Sequence, residues 1–364
     1  MSTNSRADYQ QIFLNDIPLI DVRAPVEFIQ GAFACATNLP LMMDEERHAV
    51  GICYKQYGQK AAIELGEQLV SGDIREQRID QWRAFCQQHP EGLLYCMRGG
   101  LRSHITQQWL KETGINYPLV KGGYKAMRNF LINVNQQVAT MPLKVIGGNT
   151  GSGKTRLVKE LPFGIDLEGA ARHRGSSFGR TLENQSTQIN FENRVAVSLL
   201  KQQHQGICRW VVEDEGKTIG SNHVPLEIYD SMQTANLVVI EDPFELRLLR
   251  LKEEYIDTMS AGFQQQYGED DGWVRFGHYL HHGLFAIRKR LGMERYQTLL
   301  NELDSALHHQ QMGQGSDKHE NWLVPLLIEY YDPMYSYQLS KKSDRIIFRG
   351  DYNAVRDFLL NDNH

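Results

Sequence analysis

Leu143-Lys-Val-Ile-Gly-Gly-Asn-Thr-Gly-Ser-Gly-Lys-Thr155 decides how the larger part of the chain is read. Leu143 to Ile146 is an apolar run of strand length, and a helical pattern begins at Arg156. Between them Gly148, Asn149, Thr150, Gly151, Ser152, Gly153, Lys154 and Thr155 spell G-x-x-x-x-G-K-T in a strand–loop–helix setting. Amides of such a loop wrap a diphosphate, the lysine neutralises it as a point charge, and the Thr155 hydroxyl can reach Mg²⁺. Further apolar runs close on carboxylates: Gly164-Ile-Asp166 before Glu168, Arg209-Trp-Val-Val-Glu213 before Asp214 and Glu215, and Asn236 to Ile240 before Glu241-Asp242-Pro243. Asp214 is the expected Mg²⁺ carboxylate, with Glu213 next, while Glu241-Asp242 reads as a helix cap ahead of Pro243. Arg172, His173, Arg174 and Arg180 form a basic cluster suited to a diphosphate or an RNA backbone, or else a solvated charge run; His223 is a further candidate. From Pro243 to about Leu327 the pattern is helical, and Arg345 to Gly350 reads as a late strand joining the sheet.

A second stretch, Leu94-Tyr-Cys-Met-Arg-Gly-Gly-Leu-Arg-Ser103, organises the first half. A buried strand ends at Cys96, two glycines and two arginines follow, and an amphipathic segment starts at Ser103. Gly99 and Gly100 let the loop curl its amides toward one point, the Cys96 sulfur. With Arg98, Arg102 and a helix N-terminus beside it, Cys96 is expected to be a thiolate nucleophile rather than a structural cysteine. Around it Ile17 to Arg23, Ala36 to Pro40 and Asn116 to Val120 read as strands, alternating with helices over Arg75 to Gln88 and Ser103 to Thr113. That alternation implies a parallel sheet whose working loops lie past the strands' carboxyl ends. Leu41 to Gly72 is an added segment that either covers the Cys96 loop, contacts a partner or is a surface helix. Met141-Pro142 marks the domain boundary, giving domains 1–138 and 139–364.

Composition excludes little but frames the rest. The 364 residues suit two domains, and 39 Lys and Arg against 44 Asp and Glu leave a net charge of −5, which neither requires nor forbids a nucleic-acid partner. Five scattered cysteines (Cys35, Cys53, Cys86, Cys96, Cys208) without a CxxC pair argue against a disulfide framework or zinc site and for a reducing cytoplasm. Neither a signal segment nor an uncharged run of membrane-spanning length is present, so no membrane partner is expected.

Asp21-Val-Arg23 with Pro25, Glu27, Phe28 and Gly31, then Asn38-Leu-Pro40, the Cys96 loop and Val120-Lys-Gly-Gly-Tyr124 resemble the rhodanese family, in that family's order. The resemblance implies an α/β fold of a rhodanese-like parallel-sheet domain followed by a P-loop NTPase-like parallel-sheet domain with a helical C-terminal portion. It gives Cys96 the role of sulfur or selenium carrier, and Asp21 and Arg23 that of scaffold. Arg102 stands six positions after Cys96, one more than in the usual sulfur-carrying loop, and Cys-x5-Arg-Ser is also the signature of cysteine phosphatases. Rhodanese followed by P-loop is the arrangement of bacterial tRNA 2-selenouridine synthases, which the chain also resembles in Asp166-Leu-Glu-Gly, Arg172-His-Arg-Gly, Gly-Ser-Asn-His223 and Tyr330-Tyr-Asp-Pro-Met-Tyr335. That resemblance implies a tRNA partner bearing 2-thiouridine at the wobble position, selenophosphate and geranyl diphosphate as co-substrates, a selenophosphate supply enzyme, and Mg²⁺. The other readings are a Cys-x5-Arg phosphatase, an ATP-dependent sulfurtransferase or a P-loop kinase.

Overall fold

Strands of two to six residues, most of them buried on both faces, carry the architecture of this computed structural model, which describes residues 5, 6, 8–138 and 140–361. The first part runs β1 (Ser5–Arg6), α1 (Tyr9–Leu14), β2 (Leu19–Asp21), α2 (Pro25–Gln30), β3 (Ala36–Asn38), α3 (Asp44–Leu69), α4 (Gly72–Gln88), β4 (Leu93–Tyr95), α5 (Leu101–Glu112), β5 (Leu119–Val120) and α6 (Gly123–Val138). It continues as β6 (Leu143–Gly148), α7 (Lys154–Glu160), α8 (Leu167–Ala171), α9 (Gln188–His204), β7 (Trp210–Glu213), β8 (Thr218–Ile219), β9 (Asn222–His223), α10 (Leu226–Thr234), β10 (Asn236–Ile240) and α11 (Phe244–Lys252). Helices α12 (Thr258–Tyr267), α13 (Glu269–Leu291), α14 (Met293–Gln311), α15 (Glu320–Leu326) and α16 (Asp332–Ser340) follow, then β11 (Ile346–Gly350) and α17 (Tyr352–Asn361).

The chain divides into two units, one of residues up to 136 with 187–205 and the other of 137–186 with 206 onward. In the first, an all-parallel sheet has the order β1-β5-β4-β2-β3, with Asp21 level with Tyr95. Leu19 to Asp21 and Leu93 to Tyr95 are buried throughout, as expected where helices cover both faces of a sheet. One layer packs Trp82, Phe85 and Leu110 on Ile20 and Leu94. The segment from Leu41 to Gly72 is mostly the long helix α3. Asp21 and Arg23 form a wholly buried pair, with Arg23 Nη2 2.6 Å from Asp21 Oδ2 and 2.8 Å from the Gly31 carbonyl, and its guanidinium 3.8 Å from the Tyr124 ring centre. Their partners are within the scaffold, where a buried ion pair needs every hydrogen bond filled.

The second unit has the parallel order β11-β10-β6-β7, with Val145 level with Leu237 and Val212. β11 is therefore the late strand read from Arg345 to Gly350, whereas Gly164 contributes a single bridge to Val211 in place of a strand. Ile146, Leu157, Val211, Val238 and Val355 form the core of this sheet, and Phe276, Leu280, Leu303 and Trp322 that of the helical portion. Among the described residues no helix is long and apolar enough to cross a membrane.

Sequence places 187–205 in the second domain, but α9 belongs to the first unit. The reason is a polar seam: Asn193 accepts from Arg128 Nη1 at 2.9 Å and donates to the Ala32 carbonyl at 3.0 Å, Asn190 accepts from the Ala32 amide at 2.7 Å, and Arg128 pairs with Glu192. Gly31 lies so close to Ile189 that an added Cβ would come within 2.5 Å of it. Since Asn193 is buried with both ends of its amide engaged, Asn193→Ala should cost about 1–3 kcal/mol. A thermal or urea unfolding curve indistinguishable from that of the parent would show that the seam does not hold α9.

Candidate active site

The Cys96 turn is built by β4, α5 and the glycine pair after β5. Tyr124 N donates to the Cys96 carbonyl at 2.9 Å and Lys125 N to the Met97 carbonyl at 3.0 Å. The turn from β5 thereby clasps the loop, and Gly123 (φ 59°) has no room for a side chain, because a Cβ would meet the Cys96 carbonyl at 2.2 Å. Gly99 has φ 64°, and Gly100 caps α5. The Cys96 thiol is buried at 3% exposure, with Ser103 Oγ at 3.2 Å and the Gly100 carbonyl at 3.9 Å.

The arginines are placed otherwise than the spacing suggests. Arg98 is exposed, and Arg102 turns to Glu27, with Nη1 2.6 Å from Oε2 and Nη2 3.2 Å from Oε1. Arg47 of α3 reaches the same carboxylate at 3.0 Å. Burial alone would raise the Glu27 pKa, but hydrogen bonds and charge from Arg102, helped by Arg47, carry it below the ordinary carboxyl value. Glu27 also accepts from the Ala24 amide, so one carboxylate ties α2, α3 and α5 together beside the thiol.

In the second unit the loop after β6 enters α7 with Gly151 and Gly153 at φ 80° and 85°. Lys154 Nζ donates to the Gly148 and Asn149 carbonyls at 2.9 and 3.2 Å and lies 5.3 Å from the Tyr335 ring centre. Two arginines of α11 hold the loop's carbonyls from outside: Arg247 Nη1 donates to Thr150 O at 3.1 Å, and Arg250 Nη1 to Gly151 O at 3.2 Å. Each is anchored in turn, Arg247 by a bidentate pair with Asp332 at 2.8 Å and Arg250 by Asp242 at 2.6 Å. In the Thr150–Gly151 peptide the carbonyl taken by Arg247 leaves the Gly151 amide facing the other way, as an anion needs, while the Ser152 amide closes a turn on the Asn149 carbonyl at 3.2 Å. Asp242, expected to cap a helix, instead holds Arg250 and the Tyr352 amide, and Glu241 pairs with Arg349.

Carboxylates face the loop, though not the expected one. Asp214 is occupied by Lys342, whose Nζ lies 2.6 and 2.7 Å from its two oxygens. Glu168 accepts from Thr155 Oγ1 at 2.8 Å and from the Gly175 amide, and Glu215 lies against Gly175, where a Cβ would come within 2.2 Å of its Oε2. Glu213 is fully buried with both side-chain oxygens unpartnered among the described residues. Burial, reinforced by the Glu168 charge, holds Glu213 well above the ordinary carboxyl range and pushes Glu215 up to about 8. Burial also lowers Lys154, against the opposing pull of Glu215, Glu168, Asp214 and Glu213. Among the described residues no cluster of three or more His, Cys, Asp or Glu is placed to hold a metal ion. What the site offers Mg²⁺ is the Thr155 hydroxyl with Glu168 behind it, a small oxygen donor set that suits a cation carried largely by phosphate and water.

The basic cluster is a tight turn in which His173 and Arg180 bridge and Arg174 N donates to Gly179 O at 2.7 Å. Tyrosine hydroxyls pin it from the helical portion: Tyr331 contacts Ser177 Oγ at 2.7 Å, Tyr255 contacts Ser176 Oγ at 3.3 Å, and Tyr279 donates to Phe178 O at 2.7 Å. Arg174 lies 5.0 Å from the Tyr255 ring centre with Nη1 buried and unpartnered among the described residues, and so is His173 Nδ1. Arg172 pairs with Glu183 at 2.8 Å, Arg180 is exposed, and His223 is exposed on the β8–β9 hairpin. The unpartnered Arg174 Nη1 is a donor that an anionic ligand could satisfy.

A parallel sheet with a glycine-rich turn between its strand β6 and helix α7, a half-buried lysine and a threonine at the helix start defines a P-loop phosphate-binding protein. Residues 141–364 match the family model of the tRNA 2-selenouridine synthase AAA domain. The chain is 64% identical to a tRNA 2-selenouridine synthase of Serratia proteamaculans, over 97% of this chain and 95% of that one. It is 57% identical to proteins of that name from Photobacterium profundum (96% of each) and Salmonella paratyphi A (97% of each). The chain belongs to the tRNA 2-selenouridine synthase family.

Glu168, Glu215, Arg247 and Arg250 are the residues that sequence reasoning does not single out. Glu168 lies inside the quoted Asp166-Leu-Glu-Gly string, but the arginines sit on an ordinary amphipathic helix and carry no local signal. The pH dependence of stability tests the carboxyl cluster. Glu215 keeps its proton to about pH 8 when folded and loses it near 4.5 when unfolded, so its contribution to stability declines as pH rises between these values and levels off above them. In metal-free, ligand-free buffer Glu215→Gln should flatten the decline of the unfolding temperature between pH 5.5 and 8.5. An unchanged slope would mean that Glu215 is not the group being titrated.

Proposed function

We propose that this protein replaces sulfur by selenium at the 2-position of a wobble 2-thiouridine in tRNAs for Lys, Glu and Gln, with selenophosphate as donor. One observation carries the reading: a phosphate-binding loop with a half-buried lysine and an unpartnered arginine donor, in a chain related over nearly its whole length to proteins named for that product. The first unit, with its parallel sheet and Cys96 turn, is the rhodanese-like module, and its Cys96 takes part in releasing selenium from selenophosphate.

The chemistry has two stages. The thiocarbonyl sulfur attacks C1 of geranyl diphosphate, the carbon–oxygen bond breaks, and diphosphate leaves with the electron pair. The selenium of selenophosphate then attacks C2 of S-geranyl-2-thiouridine, geranyl thiolate leaves and takes up a proton, and attack of the Cys96 thiolate on phosphorus, followed by water, breaks the Se–P bond and releases phosphate. Gly148 to Gly153 direct amides at the departing diphosphate, Lys154 moves from its two loop carbonyls to the new charge, and Arg174 and His173 supply further donors. Mg²⁺, bound at Thr155, would add charge neutralisation on the same oxygens. Glu168 orients the Thr155 hydroxyl, and the proton held by Glu215 keeps the site from repelling the anion. A nucleotide as ligand of the loop is the second reading, favoured by the same G-x-x-x-x-G-K-T geometry.

Cys96→Ser should abolish 2-selenouridine while leaving S-geranylated tRNA detectable by nucleoside mass spectrometry; undiminished selenouridine would remove Cys96 from the reaction. Lys154→Ala should reduce geranylation by about a hundredfold or more, the scale of losing one transition-state charge contact. Normal prenyl transfer with lost ATP hydrolysis would favour the nucleotide reading.

A further inference from the structure

The first unit contains a wide groove of about 1510 Å³ between α3 and α5, larger than the ~300–1,000 Å³ usual for a small-molecule site. Its concave wall arises because α3 is broken at Gly58, whose φ of 81° and ψ of −175° are non-helical, so residues 47–55 and 59–70 face the same hollow from two directions. Val50, Ile63 and Ile105 line it together with two aromatic residues. Tyr54 is 58% exposed, and Trp109 is held by Trp82 on one side, with the Arg75 guanidinium 4.6 Å from its ring centre. Arg47, Lys55, Arg102 and Lys111 also line the groove, and Glu67 is the lone carboxylate among its described lining residues. Even after Glu27 is set against Arg47 and Arg102, the hollow is positive in a chain whose net charge is −5. Leu101 and Arg102, which directly follow the Cys96 turn, close one end.

We infer that this groove is the docking surface for single-stranded RNA, taking the anticodon-loop nucleotides next to the wobble base; the inference rests on the tRNA reading above. Positive charge tracks a phosphate backbone, and exposed aromatic faces stack bases without regard to sequence. A prenyl chain would be served by a smaller, closed, uncharged cavity. The groove also gives the α3 segment a purpose that its sequence pattern does not reveal: it builds the wall that brings RNA to the end of the Cys96 turn.

The test uses the full chain and a synthetic anticodon stem–loop with 2-thiouridine at the wobble position. Lys55→Glu combined with Lys111→Glu should weaken binding about tenfold or more and reduce the salt slope by about 1–2, since each phosphate contact contributes somewhat less than one. Tyr54→Ala should cost about tenfold through lost stacking. Pyrophosphate binding, which reads the other unit, should stay within about twofold of the parent. RNA affinity and salt slope unchanged in both variants would overturn the groove while leaving the tRNA reading intact; failure of the parent to bind the stem–loop would overturn the tRNA reading itself. Hydrogen exchange on the unaltered chain gives a check independent of variant folding. RNA should slow exchange in α3 and α5, and protection there by geranyl diphosphate but not by RNA would overturn the inference.

Discussion

A cation partly withdrawn from water has to be compensated, and in this protein the compensation around the half-buried Lys154 shapes everything near the phosphate loop. Two loop carbonyls take its hydrogen bonds, Glu168 and Glu215 supply the opposing field, and a retained proton keeps that field from becoming excessive. The site is therefore poised: arrival of an anion gives Lys154 a better partner, and arrival of a divalent cation gives the carboxylates one. The arginines of α11 do the complementary work from behind, gripping the carbonyls of Thr150 and Gly151 so that the loop keeps its shape.

Parallel sheets explain why both sites lie where they do. Every strand of a parallel sheet ends at the same edge, so the Cys96 turn after β4 and the phosphate loop after β6 each occupy the edge where loops converge. The central strands are short and buried on both faces, so most of their residues have only a structural role, Glu213 at the end of β7 being the exception. Polar chemistry is delegated to the first two or three residues past each strand, as Cys96, Asp214 and Asp242 illustrate.

The Cys96 turn differs in kind from the phosphate loop. Its Arg102 is committed to Glu27, and its thiol is packed against Ser103 and the Gly100 carbonyl. Arg47 and Arg102 belong both to the α2–α3–α5 junction at Glu27 and to the lining of the groove between α3 and α5.

Local pattern alone determined a good deal. Glycine spacing before Lys154, apolar runs ending in carboxylates and the alternation of strand with helix are written in neighbouring residues, because backbone freedom and burial periodicity are local properties. Tertiary structure decided the rest. Asp214 and Glu213 are adjacent in the chain, yet only the fold pairs the first with Lys342 and leaves the second orphaned. Arg102 looks like a thiolate partner in sequence until Glu27, 75 residues earlier, claims it. Helix α9 follows the phosphate loop in sequence but is drawn to Ala32 and Arg128 by side-chain hydrogen bonds that no periodicity encodes. Charge pairing acts through space, and its partners become known only once the chain has folded.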